Sequence, residues 1–197
     1  MTAQRRRMGL GETPPLPDKV IAIHEALRSA RIPHAIGGAL ALAYYAEPRA
    51  TIDIDVNLFI PASTWRRAVD ALVEIGVEAD DLDASALERD GQCRLWWGDN
   101  PVDLFFAYAP IHDEMKKEVR RVPFSGIALP ILSPEHLAIC KATFDRQKDW
   151  LDIEKMLIAG DLKLDEVESW LKRMVGANDP RLGRLEALRA EQAALSR

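Results

Sequence analysis

Arg49-Ala50-Thr51-Ile52-Asp53-Ile54-Asp55-Val56-Asn57-Leu58-Phe59-Ile60 is the stretch whose reading decides the fold. Its first residues alternate strictly. Ile52, Ile54, Val56 and Leu58 fall on one side, and Thr51, Asp53, Asp55 and Asn57 on the other. That period of two marks a half-buried strand over residues 51–60, which Pro61 closes. Asp53 and Asp55 share its polar face, because side chains two apart along a strand point the same way. Neighbouring carboxylates repel and raise each other's pKa unless a cation lies between them. Mg²⁺ is such a cation, a hard ion usually shared between one or two carboxylates and substrate phosphates. A bare Asp-x-Asp also suits an ordinary solvent-facing strand, so the surroundings must decide.

Upstream, Asp18 is placed to cap a helix with Val20, Ile23, Leu27 and Ala30 on one face. A short strand over 32–36 runs into Gly37-Gly38, and a helix over 39–46 stops before Pro48. Glycines between a strand and a helix let the backbone approach a ligand closely, and free N–H groups at the helix start suit a phosphate. One helix separates this turn from Asp53 and Asp55, so both can line one cleft.

Downstream, Ser63 or Thr64 opens a helix through residue 73, and the acidic stretch 77–91 reads as loop with a short helix. Strands over 92–97 and 102–107 are joined by a turn, Gly98-Asp99-Asn100-Pro101. Asp103 is the lone acid in the second of them, and a carboxylate there is costly to bury unless paired or bound to metal. Beside strand 51–60 it would join the other two acids, to ligate a metal or accept a nucleophile's proton. A helix over 111–121 and a strand over 127–132 follow.

At Ser133-Pro134 the pattern changes to helix, the serine as cap and the proline at the first helical position. Helices are expected over 134–145, 148–159, 165–175 and 180–195. The chain thus divides into an irregular arm (1–17), an α/β module (18–132) and a helical part (133–197) that completes the cleft. In that last part, Lys141, Arg146, Lys148, Asp149 and Asp152 cluster. Lys148 and Asp152, four apart, suit a surface ion pair. The functional alternative puts Lys141 or Arg146 on a triphosphate and Asp149 or Asp152 on a ribose, a base or a catalytic lysine.

The bulk properties narrow the classes. Apolar residues make up 48% of 197, enough for a packed core. There is no run of about 18 apolar residues to span a membrane, and Arg5-Arg6-Arg7 is followed by no apolar stretch of a secretory signal. Two cysteines without ligand spacing, Cys93 and Cys140, point to the reducing cytoplasm. The net charge of −5 is a poor omen for a nucleic-acid binder. Basic pairs at Arg66-Arg67, Lys116-Lys117 and Arg120-Arg121 read as solvated helix faces.

Taken in order, Gly37-Gly38-Ala39-Leu40-Ala41-Leu42, Arg49 through Val56, Val102-Asp103-Leu104, Ser133-Pro134-Glu135-His136-Leu137, Lys141 and Asp149-x-x-Asp152 resemble the polymerase-β-type nucleotidyltransferase superfamily. The closest resemblance is to the AbiEii-like and MenT-like nucleotidyltransferase toxins of toxin–antitoxin systems, over residues 20–160. The resemblance implies an α/β (α+β) nucleotidyltransferase fold, a mixed sheet flanked by helices. It implies Mg²⁺ or Mn²⁺ held by Asp53, Asp55 and Asp103, with an NTP as co-substrate near Gly37 and Gly38. Arg49, Thr51, Lys141, Arg146 and Asp149 are assigned to the nucleotide, and Asp53, Asp55, Asp103, Lys141 and Asp152 to catalysis. The toxin branch implies transfer of a nucleotide, often a pyrimidine, to tRNA 3′ ends, and a cognate antitoxin as partner. Two departures stand out: Gly38 occupies a position where many members have serine, and fourteen residues separate it from Asp53.

Two rival readings follow from the same residues. The chemistry could act on an aminoglycoside-type hydroxyl or on a protein hydroxyl that becomes AMPylated. Alternatively the fold could serve as an inactive binding or antitoxin module, against which the three retained carboxylates argue.

Overall fold

The computed structural model describes residues 14–160 and 162–195; residues 1–13, most of the expected arm, lie outside them. Its centre is a six-stranded mixed sheet in the order β3-β4-β2-β1-β6-β5. The strands are β1 (His34–Ile36), β2 (Ile54–Pro61), β3 (Gln92–Trp97), β4 (Asn100–Ala107), β5 (Arg120–Phe124) and β6 (Ile127–Ile131). β2 runs antiparallel to β1 and parallel to β4, while β3 and β5 close the two margins as antiparallel hairpin partners. Ile54, Val56 and Leu58 are fully buried on one face of β2, as the alternation requires. Asp55 and Asn57, from the opposite face, line a cleft.

β2 begins three residues later than the alternation suggests. Beyond Ile54, which is level with Val102 of β4, the next position of β4 is Pro101, which has no N–H to donate. On the other side β1 has already ended, and Gly37 donates its N–H to the Asp55 carbonyl as it turns away. Among the described residues no strand therefore flanks 51–53, and Ile52 is 60% exposed.

The first helix, α1 (Leu16–Ser29), starts ahead of Asp18, which sits in its first turn without capping it. Proline within the first turn supplies the preset φ that opens the helix. α2 (Gly38–Leu42) is shorter than expected. Tyr44 and Tyr45 donate to carbonyls three residues back, tightening the chain into turns that end the helix. α3 (Arg66–Val73) follows a 3-10 turn, and α4 (Ala84–Asp90) is capped by Asp83 and ends on Gly91.

The expected helix over 111–121 is two elements. α5 (Ile111–Lys117) stops early, and Arg120-Arg121 open strand β5. The cause is a two-residue hairpin: Ser125 and Gly126 both have positive φ, and Phe124 pairs with Ile127. β5 is the outermost strand there and exposes Arg120, Arg121 and Pro123.

The C-terminal helices are α6 (Pro134–Phe144), α7 (Gln147–Ile158), α8 (Leu164–Val175) and α9 (Pro180–Leu195). Ser133 caps α6 with a proline in the first turn, as read from the sequence. α6 is buried on nearly every side, packing on α2, α7 and α8. No helix among the described residues is long and apolar enough to cross a membrane.

Candidate active site

The Gly37-Gly38 turn lies in direct contact with Asp55 of β2. Gly38 has φ +57, and a Cβ placed on it would lie 1.8 Å from Asp55 Oδ2 and 2.5 Å from its Cγ. A Cβ on Gly37 would lie 2.6 Å from Asn57 Nδ2. The backbone can pass over the carboxylate only without side chains, which accounts for glycine rather than serine at 38. Gly38→Ala should cost at least about 1 kcal/mol for the left-handed backbone alone and push Asp55 aside. Denaturant unfolding of the variant, with its structure, checks both.

Asp55 and Asp103 are register partners on the parallel pair β2–β4, and Asp53 joins them on the wall of a cleft of about 340 Å³. Burial pushes the Asp55 carboxyl up to about 6, with Asp103 and Asp53 adding to it and Lys141 and Arg146 opposing. Asp103 is already paired, a fact that its local sequence does not mark. Arg94 faces it across the β3–β4 hairpin and donates to both oxygens, at 2.7 and 2.8 Å. A two-residue turn at Gly98-Asp99, rather than the expected four-residue one, sets that register.

Across the cleft, Lys141 comes from α6 and is 4% exposed. Its ammonium donates to Asp152 Oδ2 of α7 at 2.6 Å. Arg49 also donates to Asp152, from Nη2 at 3.2 Å. Asp152 is therefore bound to Lys141 and Arg49, not to Lys148 as a surface pair; its side chain is 3% exposed, while Lys148 stands in solvent. Burial opposes ionisation of Asp152, but bonds from Lys141 and Arg49 prevail and hold its carboxyl below the ordinary range. Asp149, buried in the first turn of α7, accepts from both the backbone and the guanidinium of Arg146. Thr51 Oγ1 accepts the Asp53 N–H at 3.1 Å.

Of the residues singled out in the sequence, Gly38, Arg49, Thr51, Asp53, Asp55, Asp103, Lys141, Arg146 and Asp149 line this one cleft. Gly37 and Asp152 stand just behind it, through Asn57 and Lys141. Beyond them the cleft gains Arg94 and an aromatic wall: Phe105 packed edge-on against Phe144, and Tyr108, 69% exposed.

The carboxylates of the cleft can serve a divalent cation only if few protein ligands are needed. Among the described residues no three His, Cys, Asp or Glu side chains converge as a metal cage. Mg²⁺ needs no such cage, since one or two carboxylates suffice when phosphates complete the shell. Asp53 and Asp55 fit that role, because a cation between them would offset the burial and the neighbouring negative charge that raise Asp55. Asp103 fits it less well while Arg94 holds both its oxygens.

No family model matches the chain, and no curated protein matches it. Solved structures do. The solution structure of the antibiotic-resistance factor ANT(2'')-Ia superposes with TM-score 0.55 at 20% identity, over 91% of this chain and 94% of that one. A crystal structure of ANT(2'')-Ia with adenylyl-2''-tobramycin gives 0.50 at 16%, over 89% and 98%. The lincomycin-bound lincosamide antibiotic adenylyltransferase LnuA gives 0.52 at 12%, over 71% and 95%. At these identities the likeness is one of fold, and with the mixed sheet and its flanking helices it establishes that this chain has the α/β nucleotidyltransferase fold with a run of helices at its C-terminal end.

Proposed function

We propose that the chain is a nucleotidyltransferase that moves a nucleotide from an NTP to an acceptor hydroxyl and releases pyrophosphate. One observation carries this reading: a side-chain-free turn, Gly37-Gly38, lies directly against Asp55, with Asp53 and Asp103 beside it and Lys141 facing them. A triphosphate laid on the turn meets backbone N–H groups, two carboxylates able to share a cation with it, and the cations Lys141 and Arg146. Asp53 and Asp55 would hold Mg²⁺ or Mn²⁺, which supplies charge neutralisation at the phosphates. The acceptor oxygen attacks the α-phosphorus, the bond to the β-phosphate oxygen breaks, and the hydroxyl proton passes to Asp103. There is little covalent work for the protein, so positioning and electrostatics supply most of the acceleration. Arg49 and Asp152 set the direction of Lys141, Arg146 and Asp149 bound the phosphate side, and Thr51 holds Asp53.

The acceptor favoured by the sequence resemblance is the 3′ end of tRNA, with a pyrimidine NTP as donor. In that role the chain is a toxin restrained by an antitoxin. A second reading has a specific observation behind it. The arginines of the cleft, Arg49, Arg94 and Arg146, each already hold a carboxylate, so that of its exposed cations Lys148 is left to meet a polyanion. A hydroxyl on a small cationic molecule, such as the aminoglycoside in the solved ANT(2'')-Ia complex, suits that balance and the net charge of −5.

The experiment is transfer of label from each α-labelled NTP, with Mg²⁺, to total tRNA and to aminoglycosides in parallel. Label on one acceptor assigns it. Absence of label on both, from protein that binds NTP, counts heavily against transferase function. The raised Asp55 pKa adds a pH signature. A carboxyl whose folded pKa lies above its unfolded value favours the fold at low pH, and that contribution is lost as pH rises from 3.8 to about 6. Metal-free protein should lose stability over this window, Mg²⁺ should restore it, and transfer should rise through pH about 6. Thermal melts and rates across pH 4–8, with and without Mg²⁺, measure all three.

A further inference from the structure

Asp53 carries half of the proposed cation site, yet it stands outside the sheet. β2 starts at Ile54, no strand among the described residues flanks 51–53, and Ile52 is largely in solvent. The Thr51 hydroxyl fixes Asp53 relative to Thr51 only. Among the described residues, what ties the segment to the body is the bond that Asn100 Nδ2 donates to the Ile52 carbonyl at 2.8 Å.

The other end of that amide is also held. Lys19 of α1 donates from Nζ to Asn100 Oδ1 at 2.6 Å and to the Trp97 carbonyl at 2.6 Å. It is 1% exposed, and both of these acceptors are uncharged. An ammonium buried on neutral oxygens is costly, and burial lowers its pKa against the pull of Asp99. A methionine could fill the same space. What the ammonium alone can do follows from its being a donor without acceptor capacity. It can donate only to the oxygen end of the Asn100 amide, so the nitrogen end must face Ile52. We infer that Lys19 and Asn100 form a relay that positions Asp53, with Lys19 choosing the amide orientation and Asn100 anchoring the carbonyl immediately before the carboxylate. This rests on the reading of Asp53 as a cation-holding residue.

The test uses the full chain and Mn²⁺ alone, without nucleotide. Asn100→Asp keeps an oxygen for Lys19, now as an ion pair, but removes the donor to Ile52. It should melt no lower than the parent while binding Mn²⁺ about tenfold more weakly, the scale of losing an outer-shell support. Asn100→Ala, which adds no charge, should show the same loss of affinity, and so should Lys19→Met, which removes the donor that orients the amide. Amides of residues 52–54 should exchange faster in all three. Parent-like Mn²⁺ affinity in both Asn100 variants, with Asp53→Asn impaired, overturns the relay. If Asp53→Asn itself binds Mn²⁺ normally, the cation reading fails instead, and amide exchange decides: unchanged protection at 52–54 in the Asn100 variants overturns the relay on its own.

Discussion

Replacing Asp55 by asparagine should lower nucleotide transfer about a thousandfold, the upper scale for removing one preorganised electrostatic contact, without weakening the fold. The two effects separate because of where the carboxylate sits. Burial, Asp103 and Asp53 all disfavour its charge, so at neutral pH the ionised form opposes folding and a neutral isostere relieves it. The variant should melt slightly higher than the parent in the absence of metal. Its response to Mg²⁺ should shrink, because the partner for Asp53 is gone. Label transfer and thermal melts on the same preparations decide the matter. Retained transfer would remove Asp55 from the chemistry, and a collapsed fold would show that the acid is structural.

The largest loss of stability should come from Asp152→Ala. Lys141 is 4% exposed, and its ammonium donates to this carboxylate. Removing one partner of a buried pair leaves an uncompensated charge, at a cost of about 3–5 kcal/mol. Against a total of roughly 5–15 kcal/mol for a domain, that is a large share, equivalent to roughly 6–20 °C in Tm at this chain length. Arg49 loses the same partner and is freed to move in the cleft. A double variant, Lys141→Met with Asp152→Leu, removes both charges and should regain most of the stability. It should not regain transfer, since no ammonium then faces the phosphates. Denaturant melts of the single and double variants measure the coupling. A single variant as stable as the parent would mean that Lys141 reaches solvent or another partner at little cost, and that the buried pair is not a source of stability.

Much of the architecture is legible in the chain because it rests on local signals. The alternation from Ile54 to Leu58, the Ser133-Pro134 cap and the four C-terminal helices depend on period and capping alone. So does the meeting of Gly38 with Asp55, which needs only a turn, one short helix and a return strand. The readings that failed depend on register. Two-residue hairpins at Ser125-Gly126 and Gly98-Asp99 decide that β5 exists and that Arg94 faces Asp103; a longer turn hides both facts. The pairing of Lys141 with Asp152, rather than Lys148 with Asp152, depends on how α6 meets α7, which spacing within one helix cannot reveal. Lys19 did leave a trace, a cation directly beside the apolar stripe of Val20, Ile23 and Leu27 on α1. Its partners lie about eighty residues away in the chain and leave no trace in local sequence.

The outermost strand has a bearing on how the molecule behaves at high concentration. A free sheet margin is a template on which another chain can add a strand and so seed fibres. β5 meets that hazard with two exposed arginines, Arg120 and Arg121, and with Pro123, which offers no N–H to an incoming backbone and whose carbonyl already accepts from the Tyr44 hydroxyl. Copies approaching edge to edge would bring like charges together along a run already short of donors. Crowded molecules are thereby discouraged from polymerising through this margin.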